Sequence, residues 1–210
     1  MVLNELPRIE IGSTFSTRGK GISGWSSREL TCTPKGSHTD RFHFGVIADQ
    51  ILDGRGRFVD FETRESIWKG PSTLRFFERY MGEDIELYKL PDITEEEGVR
   101  SVRSISAIGD KGYGYEDLMK AGVDVLSLLA HGKFPPYTPE QLKVSQDSVY
   151  ICTEIPAYAA RAIGKPIEPP EYPDLWDIPA VYLQAIEEGR LIRYYKGDLS
   201  DLYLQCIREP

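Results

Sequence analysis

Little in this chain suggests an oxidised or metal-stapled framework. Its 210 residues include only three cysteines, Cys32, Cys152 and Cys206, widely spaced and odd in number. That excludes a disulfide scaffold and a CxxC metal pair, and it sets a reducing compartment as the expectation. A basic excess is also lacking. Lys and Arg number 25 against 33 Asp and Glu, and the formal charge of −8 argues against a general nucleic-acid-binding surface. No apolar run approaches the roughly 20 residues of a transmembrane helix. The opening residues, Met1 to Pro7, lack the basic and apolar regions of a signal peptide. No internal repeat, low-complexity segment or interdomain linker breaks the chain. An apolar content of 40% and a charged content of 28% predict one soluble domain over 1–210, with a core at about 9–164 and a C-terminal extension at 165–210.

What is present is a series of short strand and helix signals. Ile9 to Thr17 reads as an opening strand. The glycine-rich segment Thr17 to Gly24 is not a phosphate loop, because Gly21 follows Lys20 where Ser or Thr is required and Thr14 replaces the first glycine. Cys32 falls in a polar, irregular stretch and is expected to be inert. Arg41 to Ala48 is the clearest strand, with Phe42, Phe44 and Val46 on one face and His43, Gly45 and Ile47 on the other. Gly45 leaves open space beside His43. A turn at Asp53 to Gly56 leads to a second strand, Arg57 to Thr63. If the two strands pair, a carboxylate lies near His43, and Asp60, Glu62 and Glu65 are all candidates because a bulge at Gly56 would shift the register.

Downstream, Pro71 to Tyr80 reads as a short helix and Ile85 to Leu90 as a strand. Thr94-Glu95-Glu96-Glu97 is a capping box opening a helix to about Ile108, so its acidic triplet is a cap and not a metal site. An amphipathic helix follows from Tyr115, with His131 near its end in a charge–dipole role. Tyr113 and Tyr115 are possible donors near a cleft, with a buried structural role the commoner fate. Phe134 to Pro139 is a connector, and Pro166 to Pro173 is extended. Asp177 to Gly189 is a helix, Leu191 to Lys196 a strand, and the tail from Leu199 a short helix or strand with Cys206 structural.

The stretch Val149 to Ile155 organises the rest. A short β-type run ends in Cys152, which opens a helix from Thr153 to Ile163, closed by Gly164 and Pro166. A thiol at a helix N-terminus faces the positive end of the dipole and free N–H donors, features that favour a thiolate and hold an oxyanion. A nucleophilic cysteine needs a base and a third group to orient that base. Cys152, His43 and an acid on the adjacent strand supply those parts. His43 precedes Cys152, the reverse of the papain order, which the geometry of a triad permits.

These landmarks resemble the permuted papain-fold family, YiiX/YaeF-like and related to NlpC/P60. Phe15 to Gly21 is similar to its opening strand and loop. His43-Phe44-Gly45-Val46-Ile47 resembles its histidine strand, with Phe42 in place of Ser. Tyr150 to Ile155 resembles its nucleophile motif, with Thr153 in place of Ser, and Gly112 to Asp117 resembles a Tyr-Gly segment ahead of a helix. The resemblance implies an α+β, circularly permuted papain-like fold, an antiparallel sheet or small barrel packed against helices. It implies Cys152 as nucleophile, His43 as base and a glutamate on the next strand, which Glu62 matches best, with Thr63 replacing the family's alanine.

The expected function is cleavage of an amide bond in a peptide, peptidoglycan fragment or lipid amide through a thioester, with no cofactor, metal or nucleic acid. Acyl transfer and a non-catalytic scaffold or virion assembly role are the alternatives. The expected location is the cytoplasm, or delivery by other means as a phage-encoded component.

Overall fold

A computed structural model describes residues 8–18, 39–67, 69–108, 112–113, 149–150, 152–168 and 179–207. Within them the chain is α+β, built on a six-stranded antiparallel sheet. The strands are β1 (Thr14–Arg18), β2 (Arg41–Leu52), β3 (Phe58–Ile67), β4 (Gly70–Arg75), β5 (Asp84–Lys89) and, late in the chain, β8 (Ile192–Asp198). Their order across the sheet is β4-β3-β2-β1-β5-β8. A separate parallel pair joins β6 (Gly112–Tyr113) to β7 (Val149–Tyr150). The helices are α1 (Phe76–Tyr80), α2 (Glu95–Ser106), α3 (Glu154–Ala162), α4 (Pro179–Glu187) and α5 (Leu199–Cys206). No helix among the described residues is long and apolar enough to cross a membrane.

The alternation read in β2 decides which helices cover which face. Phe15 and Ile47 point to one side, where they pack with Phe61, Phe76, Phe77, Tyr80, Ile85, Leu87, Leu199 and Leu202. This places α1 and α5 over that face. Phe44 and Val46 point to the other side. Phe44 joins Tyr88, Ala157, Ala160, Tyr182 and Ala185, while Val46 joins Val102, Ile105, Ile155 and Ala159. Helices α2, α3 and α4 therefore cover the second face. Phe44 and Val46 on one face of β2 and Ile47 on the other are buried, so helix layers enclose both sides of the sheet.

Several elements differ from the sequence reading. The opening strand starts at Thr14, because a turn at Ile11 and Gly12 interrupts it. Residues 70–75 are strand and only 76–80 are helix, so the predicted helix over Pro71 to Tyr80 is half a hairpin. Ile67 pairs directly with Gly70, whose φ of 101° is a conformation only glycine adopts at low cost. Pro71 follows at the start of an edge strand, where a missing N–H is tolerated. The segment read as a C-terminal extension supplies the sixth strand of the sheet and a core helix. Asp198 caps that helix through Ser200 N at 2.7 Å. The capping box at α2 is as expected: Thr94 Oγ1 accepts from Glu97 N at 3.2 Å, and Thr94 N donates to Glu97 Oε2 at 2.9 Å.

Candidate active site

The pairing of β2 with β3 brings acid to base. Gly45 pairs with Glu65 and Ile47 with Thr63, so Thr63 and Glu65 share the face of His43. Glu65 lies diagonally from His43, one pair further along the ladder, a distance two long side chains can span. His43 Nε2 donates to Glu65 Oε2 at 2.6 Å. The second carboxylate oxygen, Oε1, accepts from Thr63 Oγ1 at 2.6 Å. Tyr80 on α1 donates its hydroxyl to Glu65 Oε2 as well. The Glu65 side chain has no exposure, whereas that of His43 retains 19%.

The three acidic candidates thus separate, and the assignment of Glu62 is corrected. Glu62 lies on the opposite face, where it meets Arg64 Nη2 at 2.8 Å, and both side chains are 30% exposed. The physical reason is register. The strand runs on to Ile67, and a bulge between Ile47 and Asp49 offsets the ladder, so Glu62 faces away from His43. Asp60 has a structural task. Its Oδ1 accepts from Phe61 N at 2.7 Å and Phe77 N at 2.8 Å, and its Oδ2 from Glu78 N at 3.2 Å. It caps α1 from the neighbouring strand and so fixes the helix that carries Tyr80.

The space expected beside His43 at Gly45 is filled by an aromatic ring. A Cβ on Gly45 would stand 2.5 Å from Phe15 Cε1 and 3.0 Å from Glu65 Cβ. Glycine is thus required here for the ring to lie across the strand. The ring centroid of Phe15 is 6.4 Å from that of His43 and 5.3 Å from that of Tyr80. The imidazole and its carboxylate partner are walled by rings on this face, which strengthens every charge interaction between them.

Cys152 occupies the turn ahead of α3, one position before the N-cap Thr153, so the helix begins two residues later than its thiol. Pro156 fits inside the first turn because its missing N–H has no intrahelical partner there. The helix buries Ile155, Ala157, Ala159 and Ala160 against the second face of the sheet. A tether fixes its start: the Tyr182 hydroxyl on α4 donates to the Thr153 carbonyl. The same Tyr182 ring stacks on Phe44, the residue after His43, with centroids 4.3 Å apart. The turn of the thiol and the strand of the imidazole are therefore clamped by one side chain. Cys152 is 8% exposed and is not in a disulfide.

The thiol and the imidazole are joined by a side-chain hydrogen bond. Since Nε2 is committed to Glu65, Nδ1 is the ring nitrogen left for the sulfur. Burial alone would lower His43, but its hydrogen bonds to Cys152 and Glu65 and their charges outweigh burial and raise it from 6.5 to about 10. Burial alone would raise Glu65, but the His43 bond and charge, with Thr63 and Tyr80, hold it below its usual 4.5. The charged ring therefore contributes its full stabilisation below pH 6.5 and loses it as pH rises through about 10. The carboxylate's contribution is present above 4.5 and is lost as pH falls below that. Between those limits the site holds a cation flanked by a carboxylate and a sulfur.

Sequence reasoning named Cys152 and His43, which the fold brings together, and left Glu65 among three acids. It did not find Thr63, Tyr80 or Tyr182 as site neighbours. Tyr80 carries a signal only as the end of a short helix, and Tyr182 carries none beyond its place in the helix expected over Asp177 to Gly189. The Tyr113 and Tyr115 side chains, Cys32, His131 and the glycine-rich segment beyond Arg18 lie outside the described residues. Cys206 packs partly buried against the first core cluster. Among the described residues, no group of three or more His, Cys, Asp or Glu is placed to hold a metal ion. The chain matches no family model, and no curated protein matches it.

Proposed function

We propose that this chain is a cysteine hydrolase that cleaves an amide bond, with Cys152 as nucleophile, His43 as acid–base and Glu65 orienting the imidazole. The observation that carries the reading is the His43 ring, bonded to Cys152 on one side and to the buried Glu65 on the other. A scaffold has no need to hold an imidazole between a thiol and a desolvated carboxylate.

The chemistry follows from the partners. His43 holds the thiol proton, and the Cys152 sulfur attacks the amide carbonyl carbon. The carbonyl electron pair moves to oxygen, beside the backbone N–H groups at the start of α3. When the C–N bond breaks, its pair goes to nitrogen and His43 delivers the proton there, so the amine leaves. Water, with its proton taken by His43, then cleaves the thioester and returns the thiol. Glu65 keeps Nε2 engaged throughout, so Nδ1 faces the sulfur in both half-reactions.

The resemblance to permuted papain-fold hydrolases supports the same reading, as does an antiparallel sheet with a helix following the cysteine. The substrate classes that suit it are a peptidoglycan-type peptide and a lipid-linked amide. If an amine or alcohol intercepts the thioester in place of water, the same site performs acyl transfer.

The test is intact mass after exposure to a panel of acyl and peptidyl electrophiles, with the adduct mapped. The expected result is a single acyl adduct on Cys152 that is lost in His43→Ala, and the reactive member of the panel names the acyl side. Adducts spread evenly over the three cysteines, or none at Cys152, overturn the proposal.

A further inference from the structure

Glu65 is bonded more heavily than a group that merely orients a histidine requires. Its Oε2 accepts from both His43 Nε2 and the Tyr80 hydroxyl, and its Oε1 from Thr63 Oγ1. The direction of the Tyr80 proton is fixed by its other neighbour. Arg79 Nε donates to the Tyr80 oxygen at 3.2 Å, so the one hydroxyl proton goes to Glu65. Thr63 is likewise committed. Its alternative acceptor, the Leu74 carbonyl, lies at 3.4 Å and is neutral, whereas Glu65 Oε1 lies at 2.6 Å and is charged. Tyr80 is buried, with its ring among Phe15 and Phe76, on a helix that Asp60 caps.

A buried carboxylate with a single cationic partner binds that cation too well for a proton shuttle. His43 must give its proton to the departing amine, and each added donor on Glu65 takes a share of the charge that would otherwise hold that proton. We propose that Tyr80 is a positioning residue of the site, which fixes Glu65 on His43 and draws off part of its charge so that His43 can release its proton. Thr63 does the same at the other oxygen. The inference rests on the reading of Cys152, His43 and Glu65 as a hydrolase triad. Among the described residues, the titratable and charged groups facing the pair are Cys152 ahead of α3, Glu65 on β3, and Arg79 and Tyr80 on α1.

The sign of the effect separates this role from a structural one. If Tyr80 served only packing, Tyr80→Phe, which keeps the ring, would leave the titration of His43 in place. If it only held the ion pair together, the loss would weaken the pair and His43 would titrate at lower pH. Withdrawal of charge predicts the reverse, because the bare carboxylate grips the imidazolium harder.

The experiment is nitrogen NMR of labelled histidine in the full chain between pH 7 and 10.5. His43 is assigned by its loss in His43→Gln, and melting of each variant serves as the fold control. In the unmodified protein His43, pushed up to about 10, should be about half protonated near that pH. In Tyr80→Phe, and independently in Thr63→Val, the midpoint should rise by up to about one pH unit, the scale of one hydrogen bond to a charged group. At pH 10 the ring then reads as mostly protonated. An unchanged or lowered midpoint in both folded variants overturns the inference and leaves the triad reading intact. A midpoint near the ordinary histidine value in the unmodified protein overturns both.

Discussion

His43 Nε2 lies 2.6 Å from Glu65 Oε2, and the Glu65 side chain is wholly out of contact with solvent. A carboxylate so placed is stable as an anion because three donors, one of them the cationic His43, meet it. Glu65→Gln keeps the shape and removes the charge. The imidazolium then loses its buried counter-ion, and His43 should titrate lower. The alkaline step in the alkylation of Cys152, expected where His43 titrates near 10, should therefore move to lower pH by about one unit for each tenfold loss of the pairing. Glu62→Gln, at a half-exposed pair with Arg64, should leave that step in place and change stability by less than about 0.5 kcal/mol. Site-resolved alkylation of both variants decides it. The reverse pattern would return the assignment to Glu62.

Gly45 predicts a coupled loss of fold and site. A methyl group there meets Phe15 Cε1 at 2.5 Å and Glu65 Cβ at 3.0 Å. Phe15 is completely buried and cannot move aside without disturbing Phe76 and Tyr80. Gly45→Ala should therefore cost about 1–3 kcal/mol by overpacking. It should also slow alkylation of Cys152 while the protein is still folded, since Glu65 is displaced. Urea denaturation and the alkylation rate, measured on the same sample, check both halves. A loss of stability with an unaltered rate would mean that Phe15 yields and Glu65 does not.

Asp60 should behave as a cap. It accepts from three backbone N–H groups, two of them in the first turn of α1. Asp60→Ala leaves those donors unpaired and should lower stability by about 1–3 kcal/mol. At temperatures where the variant is fully folded, the pH profile of Cys152 should keep its position. Circular dichroism melting and the alkylation profile distinguish a cap from a third triad member, which would shift the profile at unchanged stability.

The sequence makes the faces of β2 legible, because alternation of large apolar residues with His43 and Gly45 has a period of two. It also makes α2 legible, because Thr94 and Glu97 sit three apart at its start. It does not make legible which acid meets His43. That choice depends on a bulge after Ile47 and on how far β3 runs, both set by pairing with β2 and β4. The same blindness hid the β3–β4 hairpin, where Pro71 and the aromatics after it read as helix. Tyr182 was out of reach for a different reason. Its value comes from a carbonyl 29 positions away and a ring on β2, contacts that only tertiary packing creates.

The account turns on an activated thiol paired with His43, and alkylation rate against pH, read site by site by peptide mass, tests that pairing most directly. With His43 raised to about 10, the sulfur faces a cation across the neutral range. Cys152 should therefore react with iodoacetamide faster than Cys32 or Cys206, and its rate should persist below pH 7, where an ordinary thiol is only a few per cent ionised. A second step should follow as pH passes about 10, when the ring loses its proton. His43→Ala should abolish the neutral plateau and leave a single alkaline rise. Equal and purely alkaline reactivity at all three cysteines of the folded protein would contradict the account.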